Sequence, residues 1–181
     1  MDTKLKADIA ESAVVTELLN RGFNVLRPVG DRLAYDLAID IKGRLVRIQV
    51  KHAWFNEKDK AYMVDARRTK TNRRQMLRKK SSDEDFDFAV VYLGNKKLFY
   101  IIPAAIFNSF ASTITFVEES KRQRLPKTAE YRERWDLLSE ENLTDKDWQK
   151  IEKLLPKKEE AFTYVDADAA KAFPNRMVPG I

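Results

Sequence analysis

The sequence lacks cysteine altogether and contains a single histidine, His52. The absence of cysteine excludes a disulfide scaffold, a Cys-based zinc site and thiol catalysis. One histidine cannot build a His-rich metal site. No apolar run approaches the roughly 18 residues of a membrane span, and residues 1–4 carry no signal-peptide core. We therefore expect a cytoplasmic protein without a membrane-spanning segment.

Positive charge is in surplus and is concentrated in one segment. The chain has 34 lysine and arginine residues against 28 aspartate and glutamate residues, a formal net charge of +6. Most of the excess lies in residues 67–80, where eight of fourteen side chains are cationic and none is acidic. Such a cluster suits the phosphates of a nucleic acid, although a solvated basic loop is the alternative. The predicted DNA-binding residues are Arg67, Arg68, Lys70, Thr71, Asn72, Arg73, Arg74, Gln75, Arg78, Lys79 and Lys80.

The order of predicted elements indicates an α/β or α+β fold. The clearest patterns predict a helix over residues 4–20, whose apolar stripe includes Leu5 and Leu19, and two hairpins. The hairpins span residues 37–50, with a turn at Lys42-Gly43, and residues 86–102. The other predicted elements are strands at 23–26, 61–64 and 114–117 and helices at 103–107, 129–138 and 145–155. We expect one domain over residues 1–138, followed by a C-terminal helical extension and tail over residues 139–181.

Strand periodicity groups polar residues of the first hairpin into a candidate site. Successive side chains of a strand point to opposite faces, so Arg47, Gln49 and Lys51 share one face. Asp36, at the start of the partner strand, can project toward the same side. Asp36 can bind a hard cation, Gln49 can add a neutral oxygen ligand, and Lys51 can polarise or deprotonate a water molecule. The alternative is the exposed polar face of a half-buried hairpin.

Glu11 occupies a position in the first helix that apolar residues otherwise fill. It precedes Val14, Val15 and Leu18 at the i, i+3, i+4, i+7 spacing of one helix face. A carboxylate on the core side needs a partner, because burying it alone is costly. A metal ion or Lys51 would supply one. The alternative is a glutamate at the edge of the apolar stripe that reaches solvent.

These residues, in this order, resemble the PD-(D/E)XK nuclease superfamily. Glu11 lies on a first helix, Asp36 at the start of a hairpin, and Gln49-Val50-Lys51 on the return strand of that hairpin. The wider pattern is similar to one branch of the superfamily, the group I intron homing endonucleases. The segments that carry this similarity are Ala7-Asp8-Ile9-Ala10-Glu11, Arg21-Gly22-Phe23, Tyr35-Asp36, Ile48-Gln49-Val50-Lys51, Phe86-Asp87-Phe88-Ala89-Val90-Val91-Tyr92 and Tyr100-Ile101-Ile102-Pro103.

The resemblance implies a restriction-endonuclease-like core, in which helices flank a mixed sheet, that cleaves DNA phosphodiesters with Mg²⁺. It implies that Asp36 is the central metal ligand and that Lys51 orients or activates the attacking water. It further implies that Glu11 reaches the metal directly or through water. The backbone oxygen of Val50 is a further possible ligand.

Two positions depart from the superfamily pattern. Gln49 stands where an aspartate or glutamate is usual, and Tyr35 replaces the proline of the superfamily's name. A neutral amide oxygen binds Mg²⁺ more weakly than a carboxylate does, so the site carries one negative charge fewer. We therefore expect one firmly bound Mg²⁺, acting as a Lewis acid, in preference to a complete two-metal site.

The expected function is a Mg²⁺-dependent, site-specific endonuclease that acts on double-stranded DNA and is encoded within an intron. Long target sites demand a wide footprint, which favours a homodimer or a homotetramer. A Holliday-junction resolvase or a structure-specific repair nuclease is the alternative. A non-catalytic DNA-binding module that uses only the basic segment is a third possibility.

Overall fold

The computed structural model describes residues 2–30, 32–71, 76–80, 82, 84–118 and 126–139. Its helices are α1 (Thr3–Asn20) and α2 (Ala104–Ser109), with 3₁₀ turns at Lys127–Tyr131 and Trp135–Leu138. Its strands are β1 (Asn24–Leu26), β2 (Leu37–Ile41), β3 (Arg44–His52), β4 (Trp54–Asn56), β5 (Ala61–Asp65), β6 (Arg67–Thr71), β7 (Met76–Lys80), β8 (Phe88–Leu93), β9 (Leu98–Pro103) and β10 (Thr113–Phe116). The predicted α/β class is confirmed.

A five-stranded sheet in the order β1-β2-β3-β8-β9 forms the centre of the fold. Neighbouring strands are antiparallel except β3 and β8, which run parallel with Gln49 beside Ala89. The predicted turn at Lys42-Gly43 joins β2 to β3 through positive φ angles of 52° and 83°. The Gly43 N–H donates to Oδ1 of Asp40 over 2.7 Å and closes this turn. Strand β3 therefore pairs with β2 on one side and with β8 on the other.

Helix α1 packs on one face of the central sheet. Its fully buried residues are Ala10, Val14 and Leu18, which recur every four positions and join apolar residues of β2, β3 and β8 in one core cluster. The stripe predicted from the sequence also includes Leu5 and Leu19, but these are 48% and 56% exposed. Only a narrow line of the helix faces the sheet, so the buried stripe is narrower than predicted.

The other face of the central sheet is covered by a second core. This cluster joins β8 and β9 to α2 and to a three-stranded sheet in the order β10-β5-β4. Phe86, Phe107 and Phe116 are fully buried within it, and the rings of Phe86 and Phe107 meet edge to face at 5.9 Å between centroids. Every residue of β8 is buried, as expected for a strand covered on both faces.

Part of the basic segment forms a hairpin of its own. Strands β6 and β7 pair antiparallel, with Arg67 beside Lys80 at one end and Thr71 beside Met76 at the other. Residues 72–75, which include four predicted DNA contacts, lie outside the described residues. Over β6 and β7 this segment therefore has regular strand structure, and its contact with DNA stays a prediction.

The helix predicted over residues 129–138 is wrong, because two separate 3₁₀ turns occupy this region. Glu133 lies between the turns with φ of 54°. Its N–H donates to the carbonyl oxygen of Phe99 over 2.9 Å, and its Oε1 accepts from the Phe99 N–H over 2.7 Å. This pairing with β9 interrupts the helix. The helix predicted at 145–155 lies outside the described residues. In the part of the chain that the structure describes, no helix is long and apolar enough to span a membrane.

Candidate active site

Asp36 is fixed against β3 at the point where β2 begins. Its backbone N–H donates to the carbonyl oxygen of Ile48 over 3.0 Å, which extends the β2–β3 ladder by one residue. Its Oδ2 atom accepts a hydrogen bond of 2.7 Å from the N–H of Val50 and another from Nε2 of Gln49. The carboxylate is therefore oriented by the backbone of a central strand and not only by flexible side chains.

Gln49 is a polar side chain buried at the centre of the sheet. It is 8% exposed, and Thr128 is the one other polar residue buried to this degree in the described part of the chain. Besides its bond to Asp36, the Nε2 atom donates to the carbonyl oxygen of Val50 over 3.4 Å. A rotation of the amide by 180° would present its oxygen at the same place. Gln49 can therefore donate to Asp36 or offer an oxygen to a cation.

Lys51 connects the candidate site to the basic hairpin. It lies two residues after Gln49 on β3 and so projects from the same face of the strand. Its Nζ atom donates to the carbonyl oxygen of Arg67 over 3.2 Å, and Arg67 is the first residue of β6. An ammonium group is thus held between the candidate site and the start of the predicted DNA-binding segment.

Glu11 projects toward Asp36 from helix α1 and is partly buried. Burial raises the pKa of the Glu11 carboxyl above its usual value, and the charge of Asp36 raises that pKa further, whereas Arg27 opposes the shift. Two carboxylates that interact in this way are stabilised by a cation placed between them. Helix α1 therefore places one acidic group near Asp36, at the start of β2.

The structure brings all five predicted catalytic and metal-binding residues to one cavity of about 580 Å³. These residues are Glu11, Asp36, Gln49, Val50 and Lys51. A second cavity, of about 270 Å³, is also lined by Glu11 and Asp36. The two carboxylates therefore lie where the two cavities meet.

Other residues reach the site without a signal in the local sequence pattern. Lys6 and Trp54 line the larger cavity, and Arg27 lines the smaller one. Trp54 and Arg27 come from β4 and from the end of β1, so their positions depend on how distant elements pack around β3. Lys6 lies five residues before Glu11 on the same helix, a spacing that does not place two residues on one face, so its position also depends on packing.

The segment of predicted DNA-binding residues begins at the wall of this cavity. Arg67 lines the cavity, and its guanidinium pairs with Asp65 through Nε–Oδ1 and Nη2–Oδ2 bonds of 2.9 and 3.0 Å. The predicted contacts on β6 and β7 are Arg68, Lys70, Thr71, Arg78, Lys79 and Lys80. The contacts predicted at Asn72, Arg73, Arg74 and Gln75 lie outside the described residues.

The donor atoms around Asp36 suit a hard divalent cation. The Asp36 carboxylate, the Gln49 amide and the Val50 carbonyl oxygen are linked by hydrogen bonds, and Glu11 adds a second carboxylate. Mg²⁺ prefers such oxygen ligands and usually keeps several water molecules. Across the described residues, no three histidine, aspartate or glutamate side chains form a ready ligand cluster. A cation here would use neutral oxygens beside the two carboxylates.

Comparison with known proteins shows the family of the chain. Residues 1–138 match the family model described as PD-(D/E)XK endonuclease. A solved structure titled as that of a bacterial homing endonuclease, I-Ssp6803I, is 46% identical in sequence and superposes with a TM-score of 0.74. The match covers 81% of this chain and 99% of that chain. No curated protein sequence matches the chain.

Proposed function

Because the chain belongs to the PD-(D/E)XK endonuclease family, and is therefore a DNA endonuclease, we propose that it is a Mg²⁺-dependent homing endonuclease. In this proposal it hydrolyses double-stranded DNA at a specific site and is encoded within an intron. The family resemblance drawn from the sequence is confirmed. One observation carries the proposal: the Gln49 amide is hydrogen-bonded both to the Asp36 carboxylate and to the Val50 carbonyl oxygen. Lys51 lines the same cavity.

The proposed metal ligands are Asp36, Gln49, the carbonyl oxygen of Val50 and Glu11. A bound Mg²⁺ supplies Lewis acidity and increases the acidity of a coordinated water molecule. Asp36 is held for this task by the Val50 N–H, so that little reorganisation is needed when a cation arrives. Gln49 supports the same carboxylate from the side.

We propose that Lys51 orients or activates the attacking water molecule. Its ammonium lies in the cavity that contains both carboxylates and is already held by the carbonyl oxygen of Arg67. From there it can donate a hydrogen bond to the water and offset the charge that develops on the phosphate. The proposed catalytic group is thus Glu11, Asp36, Gln49 and Lys51.

Gln49 determines the proposed metal number. Two metal ions close together need several carboxylates to offset four positive charges. The described residues of the cavity offer Glu11 and Asp36 beside neutral oxygens, and the third carboxylate, Asp65, already pairs with the Arg67 guanidinium. We therefore propose one firmly bound Mg²⁺. A second ion would depend on the charges of the DNA phosphates.

The basic hairpin is the proposed grip on the DNA backbone. Strand β6 begins at Arg67, whose carbonyl oxygen contacts Lys51, so the cationic segment of residues 67–80 starts at the catalytic cavity. Cations on this hairpin can neutralise phosphates beside the cut strand, and the polar residues among them can reach base edges. This surface offsets the negative charge that Glu11 and Asp36 present to DNA.

We further propose that residues 1–138 form the nuclease domain and residues 139–181 an extension. A chain of 181 residues covers only part of a long recognition site. A homodimer or homotetramer would place two catalytic cavities on the two DNA strands. Light scattering of the full chain, alone and with DNA, measures this state directly.

The proposed activity is tested with the full chain and a plasmid library that carries randomised inserts. We expect Mg²⁺ to support cutting of a small set of related sequences, and EDTA to abolish it. Cutting that is unaffected by EDTA, or cutting without sequence preference, would contradict the proposal. A four-way DNA junction is added as a competitor, because preferential cutting of junctions of any sequence would support a resolvase instead. Binding without any cutting would support a non-catalytic module.

A further inference from the structure

A second cavity shares the catalytic carboxylates but not Lys51. Its volume is about 270 Å³, and its remaining lining residues are Arg27, Pro28, Gly30, Leu33 and Tyr35. None of these five residues lines the larger cavity. Glu11 and Asp36 therefore separate a cavity that contains Lys51 from a cavity that contains Arg27. The two cavities together form a groove in which Lys51 lies on one side of the carboxylates and Arg27 on the other.

Strand pairing explains the position of Arg27. The register of β1 and β2 places Leu26 beside Ala38, so Arg27 follows at the level where Asp36 leads into β2. Arg27 is exposed, and it is the one cationic residue among the described residues that line this cavity. Its guanidinium is thus carried to the catalytic carboxylates by the edge strand of the central sheet.

We propose that Arg27 binds the DNA phosphate next to the scissile phosphodiester and thereby holds the cut strand across Asp36. This inference rests on the proposed endonuclease function. A strand whose scissile phosphodiester lies at Asp36 continues on both sides of it, and each side carries a further phosphate. One side meets the cavity of Lys51, and the other meets the cavity of Arg27.

The chemistry of the second cavity suits a phosphate. A guanidinium presents a planar fork of N–H donors that matches two phosphate oxygens, which an ammonium cannot do. Gly30 leaves its part of the wall open, because an added Cβ atom there would meet no atom within 4 Å. Without Arg27, a phosphate beside Glu11 and Asp36 would meet only negative charge in this cavity.

Arg32 offers a matched control for Arg27. It is exposed, lies five positions further along the chain and lines neither cavity. Arg32→Ala therefore removes the same charge from the same region without touching the groove. Arg27→Lys keeps the charge but loses the fork. Because Arg27 and Arg32 are exposed, we expect Arg27→Ala, Arg27→Lys and Arg32→Ala all to fold, which thermal melting in EDTA checks.

The test measures single-turnover cleavage of a duplex chosen from the plasmid library, with enzyme in excess. We expect Arg27→Ala to cut about 10- to 100-fold more slowly than Arg32→Ala, and Arg27→Lys to fall between them. In the salt dependence of DNA binding, measured with Ca²⁺ in place of Mg²⁺, we expect Arg27→Ala to reduce the slope by about 0.9. Equal cutting by Arg27→Ala and Arg32→Ala would overturn the inference.

Methylphosphonate substitution separates phosphate binding from a mere screening of Glu11 and Asp36. Single phosphates near the cut are replaced by the uncharged group, one position at a time. We expect one position to slow the wild-type protein but to cause no further loss in Arg27→Ala. Equal losses in both proteins at every position would mean that Arg27 only screens the carboxylates and would overturn the inference. A wild-type chain that cuts no DNA would instead refute the proposed function itself.

Discussion

The Oδ2 atom of Asp36 accepts a hydrogen bond of 2.7 Å from the backbone N–H of Val50. The proposed metal ligand is thereby tied to β3, the strand that also carries Gln49 and Lys51. Because β3 is paired on both sides and lies between two packed cores, its backbone has little freedom to move. The relative positions of the three side chains are therefore set by the sheet before metal or DNA binds.

Gln49→Glu tests the role of the neutral amide. The change adds a carboxylate beside Asp36 and removes the Nε2 donor from a buried position. In EDTA we expect a loss of about 1–3 kcal/mol in the free energy of unfolding, because the two charges repel and Asp36 loses a partner. In saturating Mg²⁺ we expect a larger rise in melting temperature than for the wild type, since an added carboxylate strengthens metal binding. Equal Mg²⁺-induced shifts in both proteins would count against a metal at Gln49.

Glu11→Gln tests the burial of the helix carboxylate through pH. Because folding raises the pKa of Glu11, its contribution to stability is fully present below the unfolded value of 4.5 and is lost as the pH rises through the folded pKa. The variant cannot lose this contribution. In EDTA we therefore expect the variant to gain stability relative to the wild type as the pH rises from below 4.5 toward neutrality.

Urea unfolding across this pH range measures the effect. The exposed Glu57 supplies a control, because Glu57→Gln neutralises a carboxylate far from any core. A difference between Glu11→Gln and wild type that stays constant with pH would contradict the shifted pKa of Glu11.

Lys51→Ala separates chemistry from DNA binding. We expect cleavage to fall by about 10²- to 10⁴-fold, because the water loses its orienting group. Binding of DNA in Ca²⁺ is expected to stay close to that of Lys58→Ala, which removes the same charge from an exposed turn. Gel-shift titration and single-turnover cleavage measure the two effects. Full activity of Lys51→Ala would remove this residue from the site.

The basic segment is tested by salt dependence. A double change, Arg73→Ala with Arg74→Ala, is compared with Lys96→Ala and Lys97→Ala in the turn between β8 and β9. We expect the first pair to lower the slope of log K against log salt by about 0.9 for each phosphate contact removed. The second pair leaves the slope unchanged. Identical slopes for the two double variants would show that this part of the segment does not contact phosphate.

Local pattern was sufficient to predict the parts of the site that lie on one hairpin. The alternation of β3 assigns Gln49 and Lys51 to one face, and the turn after β2 brings Asp36 to the same place. The helical spacing around Glu11 predicted a carboxylate on the inner side of α1. These features depend on the repeat of side-chain directions along a single helix or strand, which can be read from residue spacing.

Features that depend on contacts between distant elements could not be predicted in this way. Arg27 reaches the site because β1 pairs with β2, and no nearby residue signals that pairing. The broken helix before Trp135 arises because Glu133 bonds to Phe99 on β9. The strands within residues 67–80 were missed because arginine and lysine are not strong strand formers, so pairing decided their structure.

The most direct test of the account is the cleavage rate of Asp36→Asn, measured beside Asp40→Asn. The asparagine at position 36 keeps an oxygen for the Val50 N–H but removes the charge that binds a cation. We predict that Asp36→Asn cuts its Mg²⁺-dependent target at least about 100-fold more slowly than wild type. We also predict that this variant still binds DNA in Ca²⁺. Asp40→Asn, a change in β2 at the residue that caps the β2–β3 turn, is expected to cut normally. Cleavage by Asp36→Asn at the wild-type rate would contradict the account.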